Sequence, residues 1–207
     1  MTARREPLRV GVLASGRGTN LQALLDAARA PDYPARVAVV ISDRERAAAL
    51  ERATASGVEA VFLDPKAHSD RAVYDAALLA TLAAHRVELV CLAGFMRILG
   101  SAFVQSLRGR LVNIHPSLLP AFPGLHAQRQ ALEHGVKIAG VTVHFVDERV
   151  DTGPIIAQAS VPVHDDDTEA SLSARILVEE HRLYPAVVRA IAEGRVRLVG
   201  RRTETVR

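Results

Sequence analysis

The sequence predicts an α/β fold whose first half is doubly wound around a parallel sheet. Three observations point there. Apolar, β-branched runs alternate with Ala/Leu-rich stretches, the pattern of βαβ units. A glycine-rich turn, "ASGRGTN", joins the first apolar run to the first helical one. The chain has 207 residues, 49% of them hydrophobic and 24% charged, enough to bury one substantial core.

In order, strands are expected near 8–14, 36–42, 58–63 and 87–93, with helices near 19–30, 44–56 and 69–85 between them. The last of these helices rests on Val73, Ala76, Ala77, Ala80 and Ala84, which recur with helical spacing. After Gly94 the texture changes to a short helix near 101–107, a strand at 110–114, the proline-punctuated "HPSLLPAFPGLH" and a helix near 125–134. Irregular segments of this kind often carry ligands. Two more strands, "AGVTVHFV" and "PIIAQASVPV", are joined by "DERVDTG", and an amphipathic helix from about 168 to 193 closes the domain. Thr168 is its expected N-cap, with Asp165, Asp166 and Asp167 near the positive end of the helix dipole. The basic end "GRRTETVR" reads as a solvated tail, and no repeat or linker suggests a second domain.

Composition narrows the function classes. A single cysteine, Cys91, lies in the apolar run "VELVCLAGF", which excludes an internal disulfide and a CxxC zinc site and fits a reducing cytoplasm. The apolar segment after "MTARREPLRV" is too short for a signal peptide or a membrane span. The net charge of +3 is scattered and only 4% of residues are aromatic, so no stacking platform for nucleic acid is expected.

Three constellations could carry chemistry. In "GVLASGRGTNLQALL", Gly16 and Gly18 allow close approach of a ligand to the backbone, and the free amides of the helix start suit an anion. Leu21 stands where a dinucleotide motif needs its third glycine, and no P-loop lysine follows, so a phosphate seat and an ordinary tight turn explain the stretch equally well. In "LVNIHPSLLP", Asn113 and His115 are two residues apart and project from one strand face, ahead of Pro116. Asn113 can donate to a developing oxyanion and His115 can carry a proton near neutral pH. Alone, the pair reads more readily as strand-end polar residues, but the carboxyl end of a strand is where open α/β sheets place ligands.

The third constellation is "VHFVDERVDTGP", a loop bearing Asp147, Glu148 and Asp151, with Gly153 and Pro154 fixing its exit. A carboxylate beside His115 would favour its charged, acid form, and the residues alone do not choose among the three. A serine-nucleophile hydrolase is disfavoured, since no GxSxG frame surrounds Ser15 or Ser117. No metal-ligand spacing joins His126, His134, His144 or "HDDDTE", so no metal is expected. "GFMRIL" reads either as plain core or as an apolar wall for a flat heterocycle.

Together, "SGRGTNLQAL", "LAGFMRIL", "NIHPSLLPAFPGLHAQRQALEHG", "VTVHFVDERVDTGPIIAQ" and "EEHRLYP" resemble the glycinamide ribonucleotide transformylase family, folate-dependent enzymes of purine biosynthesis. The similarity runs in order from about residue 8 to 200. It implies a Rossmann-like formyltransferase fold with a mostly parallel central sheet flanked by helices, as a single domain over 1–207. The half at about 8–100 would bind the nucleotide phosphate, and the half at about 101–200 would hold catalysis and folate.

The implied reaction is formyl transfer from 10-formyltetrahydrofolate to the amine of glycinamide ribonucleotide. The resemblance assigns Gly18, Thr19 and Asn20 to the phosphate loop, Glu180 to the neighbourhood of the glycinamide amine, and Asn113, His115 and Asp151 to catalysis. Arg71, Met96, Arg97, Ile98 and Leu99 match folate-contacting positions, as does Asn113. Gln128 departs from the pattern, standing where some members carry histidine. The expected partners are two small molecules, with no metal, nucleic acid or membrane, acting on a cytoplasmic monomer or weak homodimer.

Relatives sharing the Asn, His and Asp include a hydrolase of 10-formyltetrahydrofolate with an added N-terminal domain and a formylator of initiator tRNA with an added C-terminal one. Neither added domain is expected here. A non-catalytic nucleotide-binding protein is the remaining alternative, and intact Asn113, His115 and Asp151 argue against it.

Overall fold

The structure, a computed structural model, describes residues 6–205. Strands β1 (Leu8–Leu13), β2 (Ala35–Ser42), β3 (Glu59–Phe62), β4 (Leu89–Leu92), β5 (Leu111–His115), β6 (Ile138–Phe145) and β7 (Ile155–Pro162) form one sheet in the order β3-β2-β1-β4-β5-β6-β7. The first five are parallel, and β6 and β7 add antiparallel edges. The expected mostly parallel sheet flanked by helices is the one observed.

Helices α1 (Thr19–Ala27), α2 (Ala48–Ala55) and α6 (Glu169–Ala192) cover one face, where Val12, Cys91, Val112 and Val143 meet Leu21, Ala53 and Ile176. Helices α3 (Arg71–Ala84) and α4 (Ser101–Ser106) cover the other, over Leu13, Ile41, Leu92 and Leu111. Between α4 and α6 in sequence, α5 (Ala127–Glu133) follows the proline-rich segment. Thr168 caps α6 as expected, in a capping box with Ser171. Asp167 pairs with Arg175 besides lying near the helix start.

Three expectations are corrected. The buried face of α3 is Tyr74, Asp75, Leu78 and Leu82, while Val73, Ala76, Ala80 and Ala84 are exposed. Both sets have helical spacing, but tyrosine and leucine remove more apolar area from water than alanine does. Two helices start late. Residues 43–47 form a turn, with Arg44 N donating to Ser42 Oγ at 3.1 Å, and α5 must wait for the left-handed Gly124 (φ 81°) and His126 (φ 58°).

The third correction is the C-terminus. Instead of a solvated tail, β8 (Val196–Val199) and β9 (Arg202–Thr205) form an antiparallel hairpin turning at Gly200 (φ 59°). Val196 and Leu198 pack against the core, and Thr203 Oγ1 donates to Ile155 O at 2.7 Å, tying the hairpin to β7. The last two residues of "GRRTETVR" lie outside the described residues.

Candidate active site

Alternation along β5 puts Leu111, Asn113 and His115 on the face covered by α3 and α4. His115 is the last residue of the strand, and the chain turns at once, with Ser117 N donating to His115 O at 2.9 Å. Pro116, which has no amide to give a ladder, sits in that turn. Antiparallel register sets His144 of β6 directly across from Asn113, on the same face.

The loop after β6, residues 146–154, brings the carboxylate. Asp151 adopts a left-handed backbone (φ 54°), and its Oδ2 accepts from Gly124 N at 2.8 Å while facing His115 Nδ1 at 3.3 Å. Its Oδ1 lies 3.4 Å from Asn113 Nδ2 and 3.6 Å from His144 Nε2. The side chains of His115 and Asp151 are only 6% and 9% exposed, so their interaction is weakly screened. Burial pushes the Asp151 carboxyl up, but the contacts from His144, the Gly124 amide and the charge of His115 outweigh it and hold the carboxyl below its ordinary value.

Of the three loop carboxylates, Asp151 is the one that reaches His115. Asp147 Oδ1 is occupied by Thr152 Oγ1 at 2.6 Å and Arg149 N at 3.2 Å, and Glu148 accepts from Gln105 of α4 at 2.7 Å.

The hydrogen bonds fix protonation states. His115 Nε2 lies 2.8 Å from Phe122 O, a carbonyl that can only accept, so Nε2 carries hydrogen. With an acceptor at each ring nitrogen, the pocket suits the doubly protonated imidazole. His144 Nδ1 faces Phe145 O at 2.8 Å and therefore carries hydrogen, while its Nε2 lies 3.2 Å from Asn113 Nδ2 and 3.6 Å from Asp151 Oδ1. This orients the Asn113 amide with its NH2 toward His144 and Asp151.

The glycine-rich turn after β1 leads into α1 with Gly18 left-handed (φ 69°) and no side chain capping the helix start. The first amides of a helix have no intrahelical partner, so those of Thr19 and Asn20 are free for an anion. Gly18 is also required by packing, since a Cβ there would stand 2.8 Å from Ala49 Cα. Asn20 Nδ2 donates to Glu180 Oε2 at 2.6 Å. Glu180 interrupts the buried apolar stripe Leu172, Ile176, Tyr184 and Val188 of α6, and Tyr184, one turn on, fixes that helix by donating to Leu92 O at 2.9 Å. Burial raises the Glu180 carboxyl, while the Asn20 bond and the charges of His115 and Arg17 pull it down less strongly.

Residues 94–99 leave the sheet next to this site, because Leu92 at the end of β4 is in register with Asn113. Met96 N donates to Ser15 Oγ at 2.9 Å, and Gly100 N donates to buried Asp75 at 2.7 Å, so both ends of the segment are fixed. Met96, Arg97 and Ile98 are exposed and Leu99 is half-buried. Arg97 lies over the Tyr74 ring, 5.2 Å from its centroid. Exposed Arg71 comes near Gly100, where a Cβ would stand 3.6 Å from its Nε.

Sequence reasoning weighed His144 only as a metal ligand, and missed its place beside Asn113, the Gly124 amide and the Phe122 carbonyl. The first needs the β5/β6 register and the others are backbone groups, invisible in side-chain patterns.

Comparison with known proteins gives one consistent picture. A family model described as formyl transferase matches residues 8–188. The chain is 51% identical over 195 residues to a phosphoribosylglycinamide formyltransferase of Mycobacterium tuberculosis, covering 94% of this chain and 90% of that one. It is 54% identical over 188 residues to the trifunctional purine biosynthetic protein adenosine-3 of Drosophila melanogaster, covering 90% of this chain but only 14% of that much longer protein. In three dimensions it is similar to glycinamide ribonucleotide transformylase 1 from Symbiobacterium toebii, with TM-score 0.95, 57% identity, and coverage of 97% of this chain and 95% of that one.

Proposed function

The chain belongs to the formyl transferase family, and from that premise we propose that it transfers a formyl group from 10-formyltetrahydrofolate to the amine of glycinamide ribonucleotide, a step of purine biosynthesis in the cytoplasm. The observation that carries this reading is His115 held between the Asp151 carboxylate and the Phe122 carbonyl, with the Asn113 amide on the same strand face.

The folate supplies the formyl group and the ribonucleotide supplies the attacking amine. The amides of Gly18, Thr19 and Asn20 hold the ribonucleotide phosphate at the start of α1. Glu180, braced by Asn20, orients the glycinamide amine. Arg71 and the segment Met96, Arg97, Ile98 and Leu99 take the folate, whose flat apolar rings suit the exposed Met96 (58%) and Ile98 (69%) and whose acidic end suits the arginines. The half at about 8–100 thus seats the phosphate and the half at about 101–200 carries the catalytic groups, working as one domain.

As the amine attacks, negative charge develops on the formyl oxygen. Asn113 Nδ2 and protonated His115 donate to it. The 3.4 Å contact from Asn113 to Asp151 is the weaker of the two that its NH2 makes, and the substrate oxygen takes its place. The Nε2–H of His115 must likewise exchange Phe122 O for substrate. Asp151 stabilises the imidazolium and accepts the proton that leaves the attacking amine, for return to the departing folate nitrogen.

The test is the release of tetrahydrofolate, followed by absorbance with and without glycinamide ribonucleotide, with formate assayed in parallel. Release that depends on the ribonucleotide, without formate, supports the transferase. Equal release without it, accompanied by formate, replaces it with a hydrolase on the same scaffold. Binding of the ribonucleotide with no release at all replaces it with a non-catalytic nucleotide-binding protein.

A further inference from the structure

We propose that the β8–β9 hairpin is a clamp that sets the position of Asp151, with Thr203 and Arg201 as positioning residues for formyl transfer. The inference rests on the role given above to Asp151. The loop 146–154 is tied at its base, where Phe145 N donates to Pro154 O and Val146 N to Leu111 O, each at 2.9 Å. Its first half is braced internally by Asp147 and externally by Gln105 of α4. The second half, which carries Asp151, shares the Thr152–Asp147 bond and is held by the Gly124 amide on Asp151. One side of it borders a cavity of about 520 Å³, walled by Arg149, Thr152 and Ile155 of the loop and its exit strand and by Arg201, Arg202 and Thr203 of the hairpin.

Two hydrogen bonds span from the hairpin to the loop and its exit. Arg201 Nη2 donates to Thr152 O at 3.2 Å, on the residue next to Asp151, and Thr203 Oγ1 donates to Ile155 O at 2.7 Å, where β7 begins. Asp151 itself holds a left-handed backbone, which aspartate tolerates better than most non-glycine residues and which neighbouring contacts can hold in place.

The hairpin can supply such contacts because it is anchored independently. Its ladder runs from Val196↔Thr205 to Val199↔Arg202, an Arg197–Glu204 ion pair at 2.5 Å crosses it, and Val196 and Leu198 are seated on the core. Thr203 alternates to the side facing β7, while Glu204 faces away to pair with Arg197. Side chains at the far end of the chain thereby restrain a carboxylate whose contact with His115 is 3.3 Å long and sensitive to small displacements.

The experiment compares Thr203→Val, which keeps shape and loses the donor, with Thr203→Ser, which keeps the donor. Steady-state kcat and KM are measured for both substrates, and hydrogen exchange is followed in the full-length protein. Thr203→Val is expected to lower kcat about fivefold, the worth of one typical hydrogen bond, with KM for the ribonucleotide within about twofold. Exchange should quicken in 147–153 and not in α3, and Thr203→Ser should restore both readouts. Unchanged kcat in Thr203→Val, equal impairment in Thr203→Ser, or exchange that rises throughout the protein would each overturn the clamp. Asp151→Asn is run alongside. If it turns over normally, the role of Asp151 fails and the clamp with it, whereas an inactive Asp151→Asn with a normal Thr203→Val overturns the clamp alone.

Discussion

Replacing Gly153 by alanine should disable the site from two residues away. Gly153 is buried, and a Cβ there would stand 1.8 Å from Phe145 O, 2.9 Å from Phe145 C and 3.2 Å from Asp147 N. Ordinary contact between such atoms is near 3.5 Å, so the oxygen and the new carbon must part by roughly 1.5 Å. All three neighbours are backbone atoms in the β6 exit and the loop itself, so no side-chain rotation relieves the overlap. The loop has to move, carrying Asp151 away from His115 Nδ1, now 3.3 Å distant.

A misplacement of about 1 Å at a reacting centre costs on the order of 100-fold in rate, and overpacking of this kind costs about 1–3 kcal/mol of stability. For a chain of this size each kcal/mol lowers Tm by about 2–4 °C. Steady-state kinetics and a thermal melt of Gly153→Ala should therefore show kcat down about 100-fold, a clearly lower Tm, and little change in affinity for the ribonucleotide, which is held elsewhere. A variant with kcat within threefold of the parent would show that the loop geometry does not govern the reaction.

Four other substitutions bear on the same account. His115→Ala and Asp151→Asn should each reduce kcat by about 10²–10³-fold while weakening substrate binding far less, as loss of an acid and of its charged partner predicts; near-normal turnover in either would remove that residue from the mechanism. Glu180→Gln keeps an acceptor for Asn20 but removes a buried carboxyl whose folded pKa lies above its ordinary 4.5. Because the folded state binds that proton more tightly than the unfolded state, ionisation costs stability as pH rises through 4.5 and beyond. The Tm of Glu180→Gln relative to the parent should thus climb from pH 4 to pH 7 while kcat/KM for the ribonucleotide falls, and a Tm difference that shrinks over this range would contradict the burial argument. Tyr184→Phe leaves the carbonyls of Leu92 and Val112 without their buried donor, now at 2.9 and 3.2 Å, and should cost about 1–3 kcal/mol in chemical denaturation; a loss below 0.5 kcal/mol would mean that α6 is held to the sheet by packing alone.

Most of the sheet was legible because its strands carry buried β-branched runs, such as "VVIS" at the end of β2, whose hydrophobicity does not depend on knowing the fold. The face of α3 was misread because alanine satisfies helical spacing on either side, and only the size of Tyr74, Leu78 and Leu82 distinguishes the side that packs. The β8–β9 hairpin was overlooked because arginine and glutamate dominate "RVRLVGRRTET". Its signal was there in the alternation Val196, Leu198 and the glycine at the turn, outweighed by charge that the outward positions carry into solvent.

At the site, the Asn113–His115 spacing declared a shared face because strand periodicity is local. The choice among Asp147, Glu148 and Asp151 was not local. It depends on a left-handed φ at Asp151 and on the Gly124 amide, 27 positions earlier in the chain, and residue patterns alone encode neither. His144 was hidden for the same reason, since its partnership with Asn113 exists only in the antiparallel register of β5 and β6.

The most direct measurement follows the transferred carbon itself. With 10-formyltetrahydrofolate carrying ¹³C in the formyl group, NMR of the reaction with glycinamide ribonucleotide should show the folate formyl signal replaced, one for one, by an N-formyl amide signal on the ribonucleotide, and Asp151→Asn should slow that replacement by about 10²-fold or more. Label that accumulates as formate instead, or that reaches the ribonucleotide as fast without the Asp151 carboxylate, would contradict the account.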